Sequence, residues 1–159
     1  MNGMAWVRII IGAVWLNGAL EKILNPGFPR QFAASLQAGG FVSQAPPFFR
    51  SFMQGTVVPN AETFAQLMRV GELALGIALV LGIFTNLAAL GSIALSIVIL
   101  LSQGGVRFGT GLGPPEFLTI NVIIALLSLV VLMSPESKRA SANIGFPGRK
   151  RGSGSGSRG

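Results

Sequence analysis

The chain has 159 residues, half of them hydrophobic and 11% charged, and carries a formal net charge of +7. An average soluble domain is about 25% charged, so the balance is that of a membrane protein. There is no Cys, His or Tyr, and the five acidic residues are all Glu. That inventory excludes disulfides, thiol relays, Cys-ligated iron–sulfur clusters, His-ligated haem, the usual zinc and copper sites, and Ser-His-Asp or Cys-His nucleophiles. Redox chemistry here would have to pass through a bound organic molecule or a partner subunit.

Four apolar runs follow one another, and a spanning helix needs about 20 mostly apolar residues. The first covers residues 4–24, with Arg8, Glu21 and Lys22 interrupting its ends. It lacks a small-x-small cleavage site and is read as a span rather than a signal peptide. Trp6 suits an interfacial belt, and the deeper Trp15 is expected to face a partner or lipid. Residues 25–61 are too long for a simple turn, and loops of that length are often functional. Pro26, Pro29, Pro46, Pro47 and Pro59 punctuate this segment. A short helix is predicted over 29–38, with Pro in its first turn and Gly39-Gly40 after it. Phe32 and Leu36 share one of its faces. A second is predicted over about 47–54, carrying Phe48, Phe49, Phe52 and Met53. Both are expected to lie at the membrane interface, apolar side down, as a lid or as one wall of a ligand-binding mouth.

The second span is predicted over 62–84. Gln66, Arg69 and Glu72 recur in it every three residues and share a face. A charge in hydrocarbon costs roughly 2.5 to 3.5 kcal/mol on insertion scales, so such residues pair or face a bundle interior. Arg69 is expected to lie between Glu72 and Glu21, with Glu116 near Lys22 or Arg107. A tight turn near Phe84-Thr85-Asn86 leads to the third span, 86–103. The rows Ala74, Ala78, Gly82 and Ala88, Ser92, Ser96 are small-xxx-small packing faces. Gly109, Gly111 and Gly113 mimic a nucleotide-binding fingerprint, but no strand precedes them. The fourth span is predicted over 116–134.

These elements make an all-α fold: a four-transmembrane-helix antiparallel bundle with short interfacial helices between spans 1 and 2. The membrane domain is residues 1–135. Residues 136–159 are a basic Gly/Ser-rich tail expected to be disordered. Lys138, Arg139, Arg149, Lys150, Arg151 and Arg158 lie there against Glu136 alone. Such a tail acts as a topology signal and contacts anionic lipid rather than nucleic acid. Both termini are then cytoplasmic. Alternation of the spans brings Asn17, Glu21, Lys22, Gln66, Arg69, Glu72, Glu116 and Asn121 to the outer half of the bundle. This cluster is either interhelical glue or a head-group pocket for a quinone or lipid, with Glu72 as proton acceptor. No catalytic residue and no metal ligand is assigned, and no intrinsic cofactor.

The chain resembles the DoxX family of small four-helix membrane proteins. The resemblance rests on Gly12, Trp15, Gly18 and Lys22, then on Phe32, Ala33, Leu36 and Gly40. Its most specific part begins at Glu72, with Gly76 four residues on, Gly82 before the turn, and Thr85; Asn86 stands where Arg is common. It covers about residues 5–134. Some members are similar to the membrane subunit of thiosulfate:quinone oxidoreductase. The resemblance therefore implies an accessory or quinone-contacting subunit of a larger electron-transfer complex, in a prokaryotic cytoplasmic membrane with other membrane subunits as partners. One alternative is a quinone-dependent oxidoreductase subunit with its own head-group pocket at Arg69 and Glu72. Another is a small transporter. The chain has no Cys to carry a thiosulfonate, which makes a self-sufficient thiosulfate oxidase a poor template.

Overall fold

The computed structural model describes residues 3–37, 42–43, 45–102 and 120–135. The regular elements are helical: α1 (Gly3–Leu24), α2 (Phe28–Gln37), α3 (Pro47–Phe52), α4 (Ala61–Leu81), α5 (Thr85–Ser102) and α6 (Ile120–Met133). No strand occurs among the described residues. The predicted start of the fourth span, the glycine-rich segment 104–115 and the basic tail lie outside them. Three helical stretches are long and apolar enough to cross a membrane: Gly3–Leu24, Pro47–Leu81 and Thr85–Ser102. The second is longer than predicted because α3 does not end in a loop. It runs on through a π turn (Met53–Val57) and one 3-10 turn (Val58–Asn60) into α4. Pro59 supplies the reason for the irregularity. It has no N–H to donate, and its ring crowds the carbonyl four residues back, so the helix loosens just before it.

α4 stops at Gly82. The residue adopts φ 74°, a left-handed conformation that glycine takes without a Cβ penalty. Its N–H and that of Ile83 both donate to the Ala78 carbonyl, at 2.9 and 3.0 Å. The Arg8 guanidinium lies where a Gly82 Cβ would stand, and a cation at a helix C-terminus is favourable. Thr85 opens α5 with its hydroxyl donating to the Gly82 carbonyl at 3.2 Å.

α1 packs along α4, and α5 along α6. The row Ala74, Ala78, Gly82 is not the close contact it was expected to be, and Ala74 is exposed. The nearest approach of α1 and α4 is at Gly12 and Gly76. A Cβ on Gly12 would lie 2.9 Å from the Val80 amide nitrogen, and one on Gly76 2.9 Å from that of Leu16. The helix rotation that brings Glu72, Gly76 and Leu79 inward turns Ala74 out, since residues two apart point to different faces.

The row Ala88, Ser92, Ser96 is buried as a packing face. It also receives Trp15, which is only 4% exposed. The expectation that Trp15 faces lipid or a partner is corrected by one bond: its Nε1 donates to Ser92 Oγ at 2.7 Å, and that hydroxyl lies 2.8 Å from Ser128 Oγ. An indole N–H held away from water needs an acceptor, and the small serine supplies one between helices. Trp15→Phe is expected to lower stability by about 1 kcal/mol, the net worth of one such bond; thermal unfolding in mild detergent reads it.

Two cores result. Ile11, Trp15, Leu79, Ala88, Ala89, Ile124 and Val131 fill the space between the long helices. Leu36, Val42, Ala45, Phe49, Met53, Val57 and Ala61 form a second core under α2 and α3, packed against Phe64 of α4 and Leu101 at the end of α5. Arg50 ties that cap together by donating to the carbonyls of Ser43 and Ala45, at 2.8 and 3.0 Å. The outer surface is apolar, with Leu24, Leu87 and Met133 about 70% or more exposed, at 78%, 69% and 70%. Apolar surface on this scale is the face a protein presents to lipid rather than to water.

Candidate functional site

A cavity of about 540 Å³ lies between the cap and the halves of α4 and α5 that adjoin it. Pockets that hold lipid-sized or drug-sized ligands fall in this range. Its wall is mostly apolar. Phe28 and Phe32 come from α2 and its entrance, Phe49 and Phe52 from α3, and Phe64 and Met68 from α4. The polar part of the wall is Lys22 and Glu72, with Ser35 and Ser102.

Lys22 and Glu72 form the one ion pair among the described residues, Nζ to Oε2 at 2.8 Å. Glu72 is buried at 2% exposure and Lys22 half-buried. Lys22 lies in the last turn of α1, so its ammonium also donates to the Gly18 carbonyl at 3.2 Å. Gly18 is what admits the carboxylate: a Cβ there would lie 3.1 Å from Glu72 Oε2. The Phe28 ring stands over both cations, 5.8 Å from Lys22 Nζ and 5.3 Å from the Arg69 guanidinium. An ammonium has three donors. Two are used on Glu72 and Gly18, and the third belongs to a residue that lines the cavity.

The expected pairing of Arg69 with Glu72 and Glu21 does not form. Arg69 donates instead to the Asn25 carbonyl across the α1–α2 turn and to Gln66 Oε1, the latter at 3.2 Å. Asn25 is the pivot of that turn: its side chain accepts from the Gly27 N–H and donates to Gln31, both at 3.0 Å. Arg69 thus holds the turn that sets Phe28 above Lys22, and it is absent from the cavity wall. The reason is reach and direction. Glu72 faces Lys22 and Gly18 of α1, while Arg69, nearly one turn closer to the start of α4, reaches over the end of α1 to Asn25.

Of the other sequence-predicted site residues, Asn17, Glu21 and Gln66 are exposed, and Asn121 is half-buried in the first turn of α6. Glu116 lies outside the described residues, as does Arg107. The aromatic wall was visible only as a lid helix with Phe on it. The signal available was density: Phe28, Phe32, Phe41, Phe48, Phe49, Phe52 and Phe64 make seven of the chain's 11 Phe. Short helices are observed at Phe28–Gln37 and Pro47–Phe52, close to the predicted 29–38 and 47–54, and both contribute wall residues.

The geometry also gives several residues of the sequence resemblance a place, while Gly40 lies outside the described residues. Gly12 and Gly76 let two backbones meet, Trp15 reaches Ser92, Gly18 makes room for Glu72, Lys22 pairs with it, and Gly82 turns the chain. The family model for DoxX matches residues 3–105 of the 159. No curated protein and no solved structure matches the chain. With more than half its length matched and apolar helices long enough to cross a bilayer, the chain belongs to the DoxX family and is an integral membrane protein.

Proposed function

We propose that this protein is a quinone-contacting membrane subunit of a larger electron-transfer complex, built as an antiparallel bundle of four transmembrane helices with both termini cytoplasmic. The observation that carries the reading is the aromatic cavity ending in the Lys22–Glu72 pair. A quinone has an apolar tail and ring and two carbonyl oxygens. The Phe-rich wall suits the ring and tail, and the remaining Lys22 N–H suits a carbonyl. Glu72 lies beside that position and can take a proton from the hydroxyl of the reduced head group. The electrons themselves need a partner subunit, because no Cys, His or Tyr is present to carry them. The version with a head group held between Arg69 and Glu72 is superseded by Lys22 and Glu72, the pair that meets on the wall.

The test is purification in mild detergent, followed by mass spectrometry of bound lipids and of copurifying proteins. The expected result is a benzoquinone-type molecule retained by the wild-type protein and depleted in Lys22→Met, together with stoichiometric partner subunits. A wild-type protein isolated without quinone and without partners would overturn the reading.

A further inference from the structure

Resting on the reading above, we propose that the cavity fills sideways from the bilayer, between the outer halves of α4 and α5, and that its occupant is a long-tailed amphiphile whose polar head accepts a hydrogen bond from Lys22.

The two helices share the tight turn at residues 82–84 and still touch at mid-depth, where a Cβ on Gly91 would lie 2.8 Å from Leu75 Cδ2. Beyond that contact the cavity separates them. Phe64, Leu67 and Met68 line one side and Leu95, Val98 and Ile99 the other. All but three wall residues are buried or half-buried; the three are Phe52, Leu67 and Val98, at 46%, 60% and 44% exposure. They belong to α3, α4 and α5, all three are apolar, and they are the exposed part of the wall, which we take as its rim.

The rim is at membrane depth. Leu67 is 15 residues before Gly82 and Val98 is 13 after Thr85. At 1.5 Å per residue both stand about 20 Å along the helices from the inner turn, within a hydrocarbon core of roughly 30 Å. On the side of the cap, Leu36, Val42, Ala45, Phe49 and Met53 are packed into a buried core. A ligand dissolved in water would meet that packed cap. One dissolved in the bilayer meets an open apolar rim, with the only charged part of the wall at the inner end. Such a site selects a molecule with a hydrocarbon tail and one hydrogen-bond-accepting head, since a further charge beside the Lys22–Glu72 pair would be buried without a partner.

The chain has no Cys, so Met68→Cys accepts a single nitroxide on the cavity wall. In vesicles of phosphatidylethanolamine and phosphatidylglycerol, its collisions with dissolved oxygen, which concentrates in lipid, are compared with those of a water-soluble nickel chelate. Oxygen should dominate, and adding Leu67→Trp with Val98→Trp should suppress it. Where that pair does not fold, Val98→Phe alone should give a partial suppression. Dominance of the nickel chelate, or a signal indifferent to every rim substitution, overturns the sideways route. In parallel, transfer of a decyl-tailed benzoquinone between vesicles should slow about tenfold in the rim variants, since bulk at the rim obstructs entry and exit. A phospholipid held in place of the quinone supports the sideways route and overturns the quinone reading. A wild-type cavity that holds neither amphiphile overturns the occupant proposed here.

Discussion

Replacing Glu72 with Leu is expected to destabilise the protein by about 3 kcal/mol, at the lower end of the cost of removing one partner from a buried ion pair. The Lys22 ammonium would then face the Phe28 ring and the apolar wall with only the Gly18 carbonyl as partner. The lower end applies because Lys22 keeps 22% of its side chain accessible and has a flexible stem with which to turn outward. Lys22→Met should also destabilise, leaving the carboxylate buried beside α1. The double variant Lys22→Met/Glu72→Leu should be more stable than either single one, since well-packed apolar residues can replace a buried pair at little cost. Thermal unfolding of the four proteins in one detergent gives the coupling energy. Additive losses would mean that the two side chains do not interact. Under the proposed function, quinone retention is the second readout: it should be lost in both single variants and remain lost in the double one, where stability returns without the polar site. Arg69→Ala makes the contrast. It is expected to loosen the α1–α2 turn while the Lys22–Glu72 pair survives, because Arg69 holds Asn25 rather than Glu72.

Gly76→Ala is the second large effect. Its added methyl would stand 2.6 Å from Leu16 Cγ and 2.9 Å from the Leu16 amide nitrogen. A side chain can rotate away, but the backbone of α1 cannot, so the two helices must part. Overpacking of this kind costs about 1 to 3 kcal/mol. Gly12→Ala meets the Val80 amide nitrogen and the Gly76 carbonyl oxygen at 2.9 and 3.0 Å and should behave alike. Gly71→Ala is the internal control. It lies on the same helix with nothing within 4 Å of the added atom, and replacing a helical glycine by alanine there should gain about 0.5 to 1 kcal/mol from the unfolded chain. Unfolding midpoints that fall for Gly12→Ala and Gly76→Ala and hold or rise for Gly71→Ala would establish that backbone contact, not helix propensity, is what the two glycines serve. If Gly12→Ala matched Gly71→Ala, the close approach of α1 and α4 would be wrong.

Much of this architecture is carried by local signals. Runs of apolar residues at helix length set α1, α4 and α5, since lipid admits no other way to satisfy a backbone over such a stretch. Pro47 at the start of α3 and Gly82 at the end of α4 are local stop and start signals, and both lie where the helices change. The outer segment was legible as short helices because proline and glycine bracket apolar residues there. Composition alone likewise excludes thiols, His-ligated haem and the usual zinc sites.

What the residues could not say is which charge meets which. Arg69 and Glu72 share a helix and a spacing, and every local rule pairs them. The tertiary structure pairs Glu72 with Lys22, 50 positions away, because Gly18 leaves a gap opposite the carboxylate and the crossing of α1 with α4 turns Glu72 toward it. Trp15 was misread for the same reason: its partner, Ser92, is 77 residues distant. The cavity was invisible too, since it is the space left where α4 and α5 diverge above Leu75 and a cap bridges them. Length, apolar content and turn chemistry act within a few residues and are written in order along the chain. The ion pair, the indole bond and the cavity depend on how helices rotate about their axes, and packing settles that only when all of them are in place.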